Sequence, residues 1–121
     1  MLHFSEMMSQ NETSSMRSIQ LRPEYTIVMK YDIQPNVQEA YYRYIMGEFI
    51  PGLQTMGIYM YKAWEIVYGD YPERLIEFIT EITDIQAVID GDQFTEMEER
   101  LKGFTENYTR RVIRYSGTFQ L

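Results

Sequence analysis

Residues 62–78, KAWEIVYGDYPERLIEF, decide the fold because they place a chain reversal between two strand-like segments. The segment 58–68 before the reversal and the segment 74–82 after it are rich in aromatic and β-branched residues, which favour an extended backbone. Between them, Gly69 and Asp70 followed by Tyr-Pro supply residue types that allow a tight turn. The stretch therefore predicts a β-hairpin in the middle of the chain.

The segment before the hairpin predicts a strand followed by a helix. Residues 25–33, YTIVMKYDI, alternate so that one strand face is apolar and the other is mixed. Pro35 ends this strand, and apolar residues then recur at three- and four-residue steps, as on the buried face of a helix. Pro51 predicts a break or kink near the end of that helix, and Gly57 predicts its C-terminal stop.

The segment after the hairpin predicts helices and a last strand. Asp84 and Asp92 are N-cap residue types, and each precedes a helical pattern of apolar residues. A final strand is predicted over 108–119. The order of elements is then β-α-β-β-α-β, which is the ferredoxin-like α+β arrangement with a four-stranded antiparallel sheet.

This topology predicts a strand order of 4-1-3-2 with both helices on one face of the sheet, because the crossovers are right-handed. The predicted strands carry apolar side chains on both faces, so the face without helices also needs a cover. A second copy of the same sheet is the simplest cover. We therefore expect a homodimer in which the two sheets pair as a dimeric α/β barrel; a larger assembly through the edge of the second strand is the alternative.

Composition and charge exclude several classes of function. A chain of 121 residues with 45% hydrophobic residues suits one domain, and a net charge of −7 argues against nucleic acid or an anionic membrane as partner. The chain has no cysteine, and its one histidine, His3, lies in the N-terminal tail. Thiol catalysis, thiolate zinc sites and histidine-ligated haem in the core are therefore excluded, and we expect no metal and no cofactor.

The N-terminal composition differs from the rest. Residues 1–23 are polar and rich in Ser and Met, which predicts a flexible N-terminal arm before a single domain over 24–121. The sequence contains no apolar run long enough to span a bilayer and no signal-peptide pattern. We therefore expect a cytoplasmic protein.

These residues resemble the dimeric α/β-barrel (ferredoxin-like) superfamily, and within it NIPSNAP-like proteins. The resemblance covers about residues 25–115 and is carried by Lys30, Pro35-Asn36, Trp64, Gly69-Asp70 and the apolar strand 75–79. Lys30 stands where an arginine is usual in that family, and Asn36 where a glycine is usual. The resemblance implies the fold and a homodimer. The superfamily includes monooxygenases, haem-dependent enzymes and isomerases, among which the fold does not choose.

The mixed strand faces supply the candidate ligand-binding residues. The candidates are Lys30, Tyr59, Tyr61, Trp64, Glu65, Glu77 and Arg111. Because strands 1 and 3 are predicted neighbours, Lys30 can form a cross-strand ion pair with Glu77, with Arg111 on the other side of Lys30. Either these charges pair at the dimer interface, or Lys30 or Arg111 anchors a carboxylate or enolate while Glu77 serves as a base.

Two functions follow from these candidates. The first is a homodimeric, NIPSNAP-like protein that binds a small organic molecule in or beside the barrel without catalysis of its own, and the absence of cysteine and of histidine after His3 favours it. The alternative is a cofactor-independent monooxygenase or isomerase acting on a small aromatic or carbonyl compound. In the alternative, Glu77 is the candidate base.

Overall fold

The computed structural model describes residues 21–68 and 71–115. Its elements, in chain order, are β1 (Tyr25–Ile33), α1 (Gln38–Tyr44), a π-helical turn (Ile45–Phe49), α2 (Ile50–Thr55), β2 (Ile58–Tyr68), β3 (Tyr71–Thr80), α3 (Ile85–Ile89), α4 (Asp92–Lys102) and β4 (Thr105–Arg114). The four strands form one antiparallel sheet in the order β2-β3-β1-β4. The predicted ferredoxin-like α+β fold and its strand order are confirmed. Most of the predicted arm, residues 1–20, and the turn at 69–70 lie outside the described residues.

The core lies between one face of the sheet and the helices. Alternate residues of β1 and β3 point into it, and directly opposed residues of neighbouring strands share a face. The helices contribute large apolar side chains at helical spacing. The largest fully buried side chains are Tyr31, Tyr41, Phe49, Phe78, Phe94, Ile27, Met29, Ile45, Leu53, Ile58, Ile76 and Leu101.

The helix before the hairpin changes next to Pro51, where a π-helical turn ends at Phe49 and a new α-helical segment begins at Ile50. Proline has no N–H group, and its ring would collide with the carbonyl of Gly47, four residues earlier in an α-helix. The preceding turn is wider instead: the N–H of Ile50 bonds to the carbonyl of Ile45, five residues back. A π-helical turn therefore replaces the break. Gly57 follows the helix with φ +88°, which confirms the predicted stop.

The boundaries of the later elements differ from the prediction. β3 spans Tyr71–Thr80 rather than 74–82. At its C-terminal end, the Thr80 hydroxyl accepts a hydrogen bond from the N–H of Ile82 at 3.1 Å and ends the ladder. β4 spans Thr105–Arg114 rather than 108–119, and residues 116–121 lie outside the described part. Asp84 caps α3 as predicted, accepting from the N–H of Ala87, whereas Gly91 is the N-cap of α4.

Two β-bulges change which residues share a face. In β2 the register against β3 shifts between Met60 and Lys62, so one extra residue, Tyr61, interrupts the alternation. In β4 the extra residue lies near Asn107, whose φ is +57°. Residues 62–65 of β2, after the bulge, therefore lie on the opposite face from the one that simple alternation predicts.

Candidate functional site

A buried arginine lies on the helix-covered face of the sheet. Arg74 is directly opposite Tyr31 on β1 and Glu65 on β2, and it is only 3% exposed. Arginine is almost never buried without partners, because removing the guanidinium from water carries a large free-energy cost. What surrounds Arg74 therefore decides whether this position is structural or functional.

The partners of Arg74 satisfy only part of the guanidinium. Its Nη2 donates a short hydrogen bond to the hydroxyl of Tyr42, and its Cζ lies 5.6 Å from the centre of the Tyr42 ring. Its Nη1 lies 3.2 Å from Oε1 of Glu65, an ion pair without hydrogen-bond geometry. Within 21–68 and 71–115, neither Nε nor Nη1 of Arg74 has a hydrogen-bond acceptor. The guanidinium is thus buried with donors to spare.

Two further tyrosines line the same region. The hydroxyl oxygens of Tyr31 and Tyr41 lie 2.5 Å apart, and both side chains are fully buried. Burial is the main cause that raises the pKa of Tyr31, and it likewise raises the pKa of Tyr41. Both hydroxyls therefore stay protonated near neutral pH and act as hydrogen-bond donors, not as bases. We call Arg74, Glu65, Tyr31, Tyr41 and Tyr42 the Arg74 cluster.

Local structure explains how the cluster assembles. Tyr41 and Tyr42 are neighbours on α1, so they lie about 100° apart around the helix. Tyr41 faces the core and Tyr42 lies half-buried at its edge, with their rings 5.1 Å apart. Glu65 reaches the same face only because the bulge at Tyr61 reverses the alternation of β2. The cluster therefore depends on a feature of strand pairing.

A second polar cluster is fully satisfied. Oε2 of Glu98 on α4 accepts hydrogen bonds from the Tyr108 hydroxyl and from Nε of Arg110, both at 2.6 Å. Burial alone would raise the pKa of Glu98, but the hydrogen bonds from Arg110 and Tyr108 outweigh it, and the pKa is lowered. Glu98 is thus held as a carboxylate. This arrangement joins α4 to β4, and within 21–68 and 71–115 none of its buried polar side-chain atoms lacks a hydrogen-bond partner.

The sheet face opposite the helices, which we call the open face, carries most of the predicted site residues. Cross-strand pairing places these side chains there. They are Thr26, Val28, Lys30, Asp32, Tyr59, Lys62, Trp64, Glu73, Leu75, Glu77, Ile79, Thr109, Arg111 and Ile113. Trp64 is 41% exposed and Ile113 is 40% exposed. Lys30, Tyr59, Trp64, Glu77 and Arg111 are thus brought to one face.

The predicted ion pair between Lys30 and Glu77 is wrong. Lys30 is opposite Leu75, and its Nζ lies 3.9 Å from Oε2 of Glu73. Glu77 is opposite Val28, one alternation step away along β1, and Arg111 lies on the other side of Val28. The register of β1 against β3 explains the difference: it is shifted by two residues from the predicted pairing, and the sequence does not distinguish these two registers.

The bulge at Tyr61 accounts for the other departures from the predicted set. Glu65 lies beside Arg74 on the helix-covered face, apart from the predicted site residues on the open face. Nζ of Lys62 lies 5.2 Å from the Tyr61 ring centre and 5.6 Å from the Trp64 ring centre, so these three side chains form one group on β2.

Sequence reasoning missed Arg74, Tyr31, Tyr41 and Tyr42 as functional candidates. One signal was present: Arg74 shares its strand face with Ile76 and Phe78, so a charged residue occupies an apolar position of the alternation. A charge at such a position indicates a buried partner or a ligand.

Metal and membrane features are absent from the described part of the chain. Residues 21–68 and 71–115 contain no group of three or more His, Cys, Asp or Glu side chains that could hold a metal ion. None of the helices in these ranges is long and apolar enough to cross a bilayer.

Comparison with known proteins identifies the fold. No family model matches the chain, and no curated protein matches its sequence. Its structure is similar to that of a candidate antibiotic biosynthesis monooxygenase from Nitrosomonas europaea, with a TM-score of 0.50 and 10% identity over 84% of this chain and 98% of that one. At this identity the likeness concerns the fold.

Two further solved structures match with lower scores. A NIPSNAP family protein from Agrobacterium tumefaciens matches with a TM-score of 0.47 and 11% identity, over 83% of this chain and 93% of that one. GqqA, described as a novel type of quorum quenching acylase, matches with a TM-score of 0.46 and 13% identity, over 82% of this chain. The match spans about half of the acylase, 47% of its length.

Proposed function

We propose that this protein is a homodimer that binds a small organic molecule between its sheet and its helices, without catalysis of its own. One observation carries the proposal: Arg74 is 3% exposed, and two of its three guanidinium nitrogens have no hydrogen-bond acceptor among the described residues. A buried donor left unpaired costs about 1–3 kcal/mol, and more when it is charged. A ligand that supplies acceptors would recover this free energy, which supports a binding role.

The chemistry of the Arg74 cluster favours binding over catalysis. Tyr31 and Tyr41 have raised pKa values because they are buried, so neither is a base near neutral pH. The carboxylate of the cluster, Glu65, is engaged in the ion pair with Arg74. Glu77, the base of the monooxygenase or isomerase alternative, lies on the open face, away from this cluster.

The open face supports the homodimer. Val28 and Leu75 lie half-buried at its centre, with Trp64 and Ile113 exposed towards its edges. Exposed apolar residues on a sheet face without helices are characteristic of an interaction surface. Both signs of charge also occur on this face, so a two-fold pairing through it can match cations of one copy with carboxylates of the other and would build the dimeric barrel.

Native mass spectrometry tests the proposal. We expect the purified protein to have the mass of a dimer, and a reproducible small molecule to be released on denaturation. Leu75→Arg on the open face should give a folded monomer by analytical ultracentrifugation and circular dichroism. Gln93→Arg on the exposed part of α4 adds the same charge and should leave the dimer intact. A wild-type monomer at micromolar concentration would contradict the dimer, and variants that behave alike would contradict its interface.

A further inference from the structure

We infer that the Arg74 cluster binds the carboxylate group of a small ligand with an aromatic or apolar body, and that Glu65 occupies the carboxylate position until the ligand replaces it. This inference rests on the proposed binding function and assigns its ligand class and its mode of entry.

The guanidinium determines the charge of the ligand. Arginine has five N–H donors in a planar fork and no acceptor, and it stays protonated. Nη2 is engaged by Tyr42, whereas Nε and Nη1 lack acceptors in the described structure. A carboxylate offers two acceptor oxygens and neutralises the single buried charge, so it matches this site better than a cation, a neutral amide or a multiply charged phosphate. Because the Nε–H and Nη1 point to opposite sides of the guanidinium, one carboxylate would accept from one of them together with the second proton of Nη2.

Glu65 already shows where such a carboxylate can lie. Its Oε1 is 3.2 Å from Nη1 of Arg74, yet the contact lacks hydrogen-bond geometry. Its side chain is 33% exposed, and it belongs to β2, which is an edge strand with solvent beside it. The Glu65 end of the pair thus reaches solvent, whereas the Arg74 side chain is 4% exposed and needs a negative charge beside it. Glu65 can therefore rotate outwards as a better-placed carboxylate takes over the charge of Arg74.

The surrounding tyrosines determine the rest of the ligand. Tyr31 and Tyr41 share one hydrogen bond, so one of their two hydroxyl protons is not used in it. That proton can be donated to a ligand oxygen. The Tyr42 ring lies half-buried at the edge of the cluster and meets Tyr41 edge to face at 5.1 Å. We therefore expect an aromatic or apolar body to lie against the Tyr42 ring at this edge, since aromatic pairs add favourable contacts to the burial of area.

Calorimetric titration of the full chain near neutral pH tests the inference, with benzoate, phenylacetate and hexanoate as carboxylate probes and benzamide as the neutral counterpart. We expect the carboxylates to bind and benzamide to bind at least about tenfold more weakly. Arg74→Met should weaken carboxylate binding by about tenfold or more. Glu65→Gln should tighten it by about tenfold, because the competing carboxylate is gone.

Matched variants on α1 control for charge alone. Arg43 and Glu39 form an exposed pair next to the cluster in sequence, and Arg43→Met and Glu39→Gln change the net charge by the same amounts. Both should bind the probes as wild type does. The Glu65 variant keeps the test decisive if Arg74→Met folds poorly, since it retains the buried guanidinium.

Several results would overturn the inference. The inference fails if Glu65→Gln binds carboxylates more weakly than wild type, or if folded Arg74→Met binds them as tightly as wild type. It also fails if benzamide binds as tightly as the carboxylates, or if neither wild type nor Glu65→Gln binds a carboxylate up to about 10 mM. A dimer that carries a neutral molecule in native mass spectrometry would leave the proposed function standing and reject the carboxylate. An empty monomer would reject the proposed function itself.

Discussion

Replacing Glu98 by glutamine removes the carboxylate that joins α4 to β4. The carboxylate is 6% exposed and accepts from the Tyr108 hydroxyl at 2.6 Å and from Arg110 at 2.6 and 3.4 Å. Hydrogen bonds to a charged group contribute about 1.5–3 kcal/mol each, and breaking a fully buried ion pair costs about 3–5 kcal/mol. The Arg110 side chain is 28% exposed and can rehydrate, and glutamine keeps one acceptor oxygen. We therefore expect a loss of about 2 kcal/mol.

The loss should depend on pH in one direction. The hydrogen bonds from Arg110 and Tyr108 lower the pKa of Glu98 in the folded state. A lowered folded-state pKa adds stability above the unfolded-state pKa, about 4.3, and that stability is lost as the pH falls through the folded-state value. The difference between wild type and Glu98→Gln should be largest near neutral pH and should shrink in acid.

Urea unfolding followed by circular dichroism, at neutral and at acidic pH, measures both effects. Glu99→Gln is the matched control, because Glu99 is adjacent, exposed and paired with Lys102 at 3.3 Å. That variant should change the free energy of unfolding by less than about 0.5 kcal/mol. The reasoning fails if the two variants are equally stable, or if the Glu98→Gln deficit is the same at both pH values.

Three further predictions concern the core. Gly57→Ala should cost about 1 kcal/mol in urea unfolding because φ is +88°, and an unchanged midpoint would refute the strain. Tyr31→Phe should cost about 1–2 kcal/mol by leaving the Tyr41 hydroxyl unpaired, and the double Phe variant should recover part of the loss; additive losses would argue against coupling. Burial raises the pKa of Tyr44 to about 12. The contribution of the Tyr44 hydroxyl to the free energy of unfolding should be complete below about pH 10 and lost as the pH rises through 12. Ultraviolet titration measures the pKa itself.

Local sequence patterns were sufficient for the order and type of the main elements. Period-two alternation marked β1 with the correct ends, Tyr25–Ile33, and the richness in aromatic and β-branched residues marked β2 with the correct ends, Ile58–Tyr68. Gly57 marked the end of the helix, because few other residues adopt a positive φ at low cost. These signals are local, since each depends on the conformational preferences of a few neighbouring residues. The sheet order followed from them through the handedness of crossovers.

The candidate site was decided by tertiary structure. The bulge at Tyr61 is a property of how β2 pairs with β3, and it moved Glu65 to the side of Arg74. The register of β1 against β3, which set Lys30 beside Glu73 rather than Glu77, also depends on contacts between strands distant in sequence. Alternation along a single strand assigns residues to faces only while the pairing stays regular.

The same limit applies to the helices. The apolar pattern predicted the buried face of α4, yet the acidic Glu98 on that helix is also buried, against Arg110. Helical periodicity gives the direction of a side chain around its own axis, but it does not give the identity of the group that another element brings to meet it. Sequence alone determined the order of the elements and the apolar faces that pack, because both follow from local preferences and burial. Only the tertiary structure determined which charges meet, because that depends on the register between distant strands and on the position of α4 against β4.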